Sequence, residues 1–171
     1  MSNQMEMLAG LAGLIDNALP GARRYAPIVE ATGGFAIAVP GGGQVVVWSA
    51  PVAPGEPWFL NYSVGIARDV PDLGAALSWV NTKNADFRFG RFYVSIPGSE
   101  PARGNVVYRE TVYSGLIEAA PQAVNGYVGE LLQLATQVAG DEPQGFVQVV
   151  GGSPYGDTDQ DRSALVMAAM G

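Results

Sequence analysis

The chain predicts an α+β fold: an antiparallel five-stranded sheet with helices packed on it, in the order α-β-β-β-α-β-β-α, followed by a C-terminal tail. Three observations carry that prediction. Trp58, Leu60, Tyr62, Val64 and Ile66 alternate with Phe59, Asn61, Ser63, Gly65 and Ala67, the two-residue period of a strand with one buried face. Other segments repeat apolar residues at spacings of three and four, the period of an amphipathic helix. The strands follow one another through Gly- and Pro-rich turns, and hairpin-connected strands pair antiparallel, so helices before and after them cover a face.

The first helix is expected over residues 3–18, where Met5, Leu8, Leu11, Ile15 and Leu19 share a face and Pro20-Gly21 stops it. Residues 25–29 form a link to the first strand, Phe35–Val39. The turn Pro40–Gly43 has ample freedom for positive φ and returns the chain as Gln44–Ser49. There Val45-Val46-Val47-Trp48 is apolar on both sides, as in a strand covered on both faces. After the Pro-rich loop 50–57 comes the alternating third strand. A helix then starts near Asp69–Asp72, with Asp69 as N-cap and Leu73, Leu77, Val80 and Asn84 along one face. Strands Phe87–Ile96 and Asn105–Tyr113 make a hairpin around the loop 97–104. The last long helix spans Pro121–Ala139, with Val124, Tyr127, Val128, Leu131, Ala135 and Val138 in its stripe and Gly140 past its end. Residues 1–140 form one domain, and 141–171 an acidic, partly mobile tail. In the tail, Phe146–Val150 reads as a short strand, and Ser163–Met170 is too short to stand alone as a helix and must dock or stay disordered.

Composition excludes several chemistries. Among 171 residues there is no His and no Cys, which removes imidazole bases, catalytic triads, thiolates, disulfides and zinc knuckles. No Gly-x-Ser-x-Gly elbow, Ser-x-x-Lys pair or phosphate loop takes their place. The run Asp157–Asp161 starts like a calcium loop, but Arg162 and Ala168 stand where Gly and Glu are needed. The chain is therefore read as a non-enzyme with no catalytic residues, no metal site and no cofactor. The formal net charge of −7 argues against nucleic acid and against an anionic membrane surface. With no membrane-spanning run and no basic leader before the first apolar stretch, the expected location is the cytoplasm. The charge is uneven. Residues 87–113 carry 4 basic and 2 acidic groups, whereas residues 114–171 carry 1 and 7. A basic hairpin thus precedes an acidic tail.

The segment Leu77–Tyr93 reads LSWVNTKNADFRFGRFY: a helix ending in Trp-Val-Asn-x-x-Asn, then Phe-Arg-Phe-Gly-Arg-Phe. It resembles the YbjN-type domains of bacteria, which are related in fold to type III secretion chaperones. The resemblance extends to the element order over about residues 5–139. It implies a five-stranded antiparallel sheet, frequently dimeric, that binds a peptide or partner-protein segment in extended form. It also implies structural roles, with Asn81 and Asn84 capping the helix end and Trp79 and Phe89 packing.

Two functions follow as expectations. The first is a chaperone-like module that binds a peptide or partner protein and is capable of homodimerising. Its candidate partner-binding residues are Arg88, Arg91, Tyr93 and Arg109 on the hairpin, with Leu165, Val166 and Met167 of the tail occupying the groove intramolecularly. Arg88 and Arg91 differ in strand parity and point to opposite faces, so they do not form a single patch. The alternative is an acidic immunity or inhibitor protein whose C-terminal third masks a basic partner.

Overall fold

The computed structural model describes residues 23–24, 35–38, 44–49, 53, 55–99, 101–119, 121–156 and 158–170. The helix expected over 3–18, the link 25–29 and the turn Pro40–Gly43 lie outside them. The strands are β1 (Arg23–Arg24), β2 (Phe35–Ala38), β3 (Gln44–Trp48), β4 (Phe59–Val70), β5 (Arg91–Ser95) and β6 (Gly104–Tyr113). They lie in the order β1-β2-β3-β4-β6-β5, each antiparallel to its neighbour. The five expected strands are β2–β6, and β1 adds a two-residue strand beside β2. The described helices are α1 (Leu73–Asp86), α2 (Ser114–Ala119), α3 (Pro121–Val149) and α4 (Asp159–Met170).

Strand alternation divides the core in two. Val45, Val47, Leu60, Tyr62, Val64, Ile66, Val106, Tyr108 and Val112 pack against Ala76 and Val80 of α1 and against Leu131, Leu132, Ala135, Val138, Ala139 and Phe146 of α3. The opposite parity supplies Val46, Trp48 and Val107, and these pack against Leu165, Val166, Ala168 and Ala169 of α4. The sheet is therefore covered on both sides. That explains why Val45–Trp48 is apolar throughout, and why Asn61, Ser63 and Gly65, expected on an open face, are buried.

Several boundaries move, each for a packing reason. β4 runs on to Val70, so α1 is capped by Asp72 instead of Asp69: its Oδ1 accepts from the Ala75 amide at 2.9 Å. Leu77 faces solvent, while Ala76 and Val80 are buried. The fourth expected strand begins only at Arg91. Before it, Phe87 closes α1, its amide donating to Lys83 O, and its ring meets Phe92 edge-on at 5.0 Å. Phe89 is exposed, and it is Trp79 that joins the aromatic cluster, against Phe92 and Phe146. The expected end at Gly140 and the short strand over 146–150 are replaced by one helix through Val149, despite Pro143 inside it. Burial of Phe146 against Trp79, with the Lys83–Glu142 ion pair at 2.7 Å, holds this second half. Residues after 140 are thus the end of α3, a connection, and a helix seated on the sheet. Among the described residues no helix is long and apolar enough to cross a membrane.

Candidate functional site

Cross-strand register arranges the α4 face into rows. Gly65, Val107 and Tyr93 form one row, and Val46, Ser63, Arg109 and Arg91 the next. Beyond them come Trp48, Asn61 and Thr111, then Phe59 and Tyr113. α4 covers the first two rows and Trp48 of the third. Small residues on both sides allow a close seat: Ala168 and Ala169 on the helix, Ser63 and Gly65 on the sheet.

The C-terminal end of α4 is gripped through its backbone. Arg109 Nη1 donates to Ala169 O at 2.6 Å, and Tyr93 Oη donates to the same carbonyl at 3.0 Å. The Arg109 guanidinium lies 5.3 Å from the Tyr93 ring centre. A helix leaves its last carbonyls unpaired and carries partial negative charge there, so a cation and a phenol donor at this end satisfy both needs. Burial pushes the Tyr93 hydroxyl up to about 12, against the pull of Arg109, so it remains a donor.

The other end is held by charge and capping. Thr158 Oγ1 accepts from the Asp161 amide at 3.1 Å and donates to Asp161 Oδ2 at 2.7 Å. Arg68 Nη1 meets Asp161 Oδ1 at 2.6 Å, and Arg162 pairs with Asp159. The acidic run Asp157–Asp161 therefore supplies a cap and ion pairs at its described positions. The connection from α3 crosses the sheet beside β4, where Arg68 and Ser153 exchange two backbone hydrogen bonds of 2.8 Å. Gly152 permits this path, since its φ is +88 and a Cβ would press on Arg68 O and Val70. Tyr155 lies directly on Gly65, whose missing side chain makes the room.

Past the end of α4 the face opens into a groove of about 370 Å³, lined by Trp48, Trp58, Phe59, Asn61, Arg109, Thr111 and Met170. Phe59 is 50% exposed and stacks obliquely on Tyr113, which is 45% exposed. The Trp48, Asn61 and Thr111 side chains of the floor are paired. Trp48 Nε1 donates to Ser63 Oγ at 2.9 Å, Thr111 Oγ1 to Asn61 Oδ1 at 3.0 Å, and Asn61 Nδ2 to Phe59 O at 3.3 Å.

The β5 edge of the sheet offers less. Asn84 of α1 donates to Phe92 O and accepts from Phe92 N, both at 2.8 Å, reproducing a neighbouring strand at the middle of β5. Instead of ending the helix, Asn84 closes the edge where an extended segment would add.

The structure brings together Tyr93, Arg109, Leu165 and Val166 of the candidate residues. Arg91 shares their face, but its guanidinium turns back to Phe87 O and Gly90 O. Arg88 lies in the turn before β5 and is exposed, and Met167 points away from the sheet at 69% exposure. Sequence reasoning missed Arg68, Asp161 and Trp48. The two-sided apolar run at Val45–Trp48 was the signal for a second covered face; Arg68 and Asp161 are 93 positions apart and no local pattern links them.

The fold and this face define an α+β sheet protein with a helix of its own bound on the face opposite its main helical layer. No protein-family model, curated protein or solved structure matches the chain.

Proposed function

We propose that the protein is a non-catalytic, chaperone-like binding module of the cytoplasm that captures a segment of a partner protein on the face now seated by α4. The observation that carries this reading is the capture of Ala169 O by Arg109 and Tyr93 at the end of a small-residue helix. A sheet that grips a helix by its terminal carbonyl and an apolar stripe can take a similar helix from elsewhere. The resemblance to YbjN-type domains supports a binding role. The Asn84 contact favours a helical over an extended occupant at that edge. α4 then acts as a tethered occupant that a partner must displace.

The experiment is a titration of the full chain carrying Leu165→Ala, which loosens the resident helix and leaves its seat intact, with a peptide of residues 157–171. Binding that shifts the amide resonances of Val46, Tyr93, Val107 and Arg109 is expected, with weaker binding to the wild-type chain, where the tethered helix competes. No binding to the loosened chain would contradict the reading.

A further inference from the structure

α4 fills only part of its face. Its last residue, Met170, is one wall of the groove, so the groove continues the helix seat without a break. Beyond it lie Thr111 and the Phe59–Tyr113 pair, which stay exposed. About half of Phe59 and half of Met170 remain in contact with water. Apolar surface left exposed at the end of an existing apolar contact gains from being covered.

The chemistry of the floor selects the occupant. The side-chain groups of Asn61 and Thr111 bond each other, the Trp48 indole is bonded to Ser63, and Arg109 donates to Ala169 O. An apolar occupant leaves all of these bonds in place. The point of entry is set by α4: Met170, its last residue, already lines the groove.

Resting on the binding role proposed above, we propose that the partner segment is an amphipathic helix that ends where α4 ends, so that its last carbonyls meet Arg109 and Tyr93, and that is followed directly by bulky apolar residues. It repeats the stripe of Leu165, Val166, Ala168 and Ala169, places a carboxylate at the position of Asp161 against Arg68, and sets the apolar side chains that follow the position of Met170 in the groove. The partner is thereby distinguished from the resident helix: it makes the same contacts and adds a hydrophobic anchor that α4 lacks.

Two peptides test this against the full chain carrying Leu165→Ala. One is residues 157–171, and the other has Trp and Leu directly after Met170. Calorimetry is expected to show at least tenfold tighter binding of the second peptide, with the advantage reduced to within twofold when Phe59→Ala is added to the chain. Phe59 is half exposed, so its truncation leaves the core in place. Equal affinities for the two peptides, or an advantage that survives Phe59→Ala, would overturn the anchor and leave the binding role standing. Binding of neither peptide would overturn both. The wild-type chain provides the same comparison at weaker absolute affinity should Leu165→Ala disturb folding.

Discussion

Glu110 projects from β6 into the core on the α1 and α3 side, where it is 2% exposed. Its Oε1 accepts from Tyr108 Oη, and it stands directly across from Tyr62 of β4. Burial raises its carboxyl to about 7, against the lowering effect of the Tyr108 hydrogen bond, and raises the Tyr62 and Tyr108 hydroxyls as well. Between the ordinary value of 4.5 and this raised one, the folded chain holds a proton that the unfolded chain releases. Stability from this group is therefore complete below about 4.5 and is lost as pH rises through 7, a loss on the order of 3 kcal/mol. Glu110→Gln keeps the acceptor for Tyr108 and removes the ionisation. Denaturant titrations are expected to show the variant about 1–3 kcal/mol more stable than wild type at pH 8, and the two nearly equal at pH 4.5. A variant less stable than wild type at pH 8 would contradict this assignment.

Single elements carry the next set of consequences. Asn84→Ala strips the Phe92 amide and carbonyl of their partners, at a cost of about 1–3 kcal/mol, and opens the β5 edge. The variant is expected to self-associate with rising concentration in sedimentation velocity runs, while wild type does not gain mass by this route. For α4, Arg109→Ala removes the charged donor to Ala169 O and weakens docking of the helix by about 1.5–3 kcal/mol. Hydrogen exchange in the last turn of α4 should then quicken with little change in β4 and β6. Tyr93→Phe removes the second, neutral donor and should have the smaller effect. Helix boundaries were the least legible part of the sequence. Gly140 reads as a stop, and contacts across many residues override it: the burial of Phe146 against Trp79 and the Lys83–Glu142 ion pair. The docked stripe of α4 is Leu165, Val166, Ala168 and Ala169, while the equally apolar Met167 and Met170 are exposed, a pattern too faint to reveal which face docks.

At the scale of the whole molecule, the layer order follows from how apolar residues are distributed over the strands. The alternation from Trp58 to Ile66 and the hairpin turns specified an antiparallel sheet, and the sheet is there. The second cover was half legible: Val46 and Trp48 demanded it, while Ser63 and Gly65 read as a solvent face because they are small enough to admit a helix backbone closely. The charge asymmetry has a similar resolution. The acidic C-terminal third spends Glu142 on Lys83 and Asp161 on Arg68, so part of its charge ties the chain to itself. The basic hairpin spends Arg109 on the end of α4. These long-range pairings carry no local sequence signature.

Native-state hydrogen exchange of the full chain distinguishes an α4 that is a separable occupant of a binding face from one that is part of the core. The amides of α4 are expected to exchange through a partial opening at a lower free energy than those of β4 and β6, with low sensitivity to denaturant because little surface is exposed. If α4 instead opens only with the sheet, at the same free energy and the same denaturant dependence, the helix is an inseparable part of the core, which contradicts its role as an occupant.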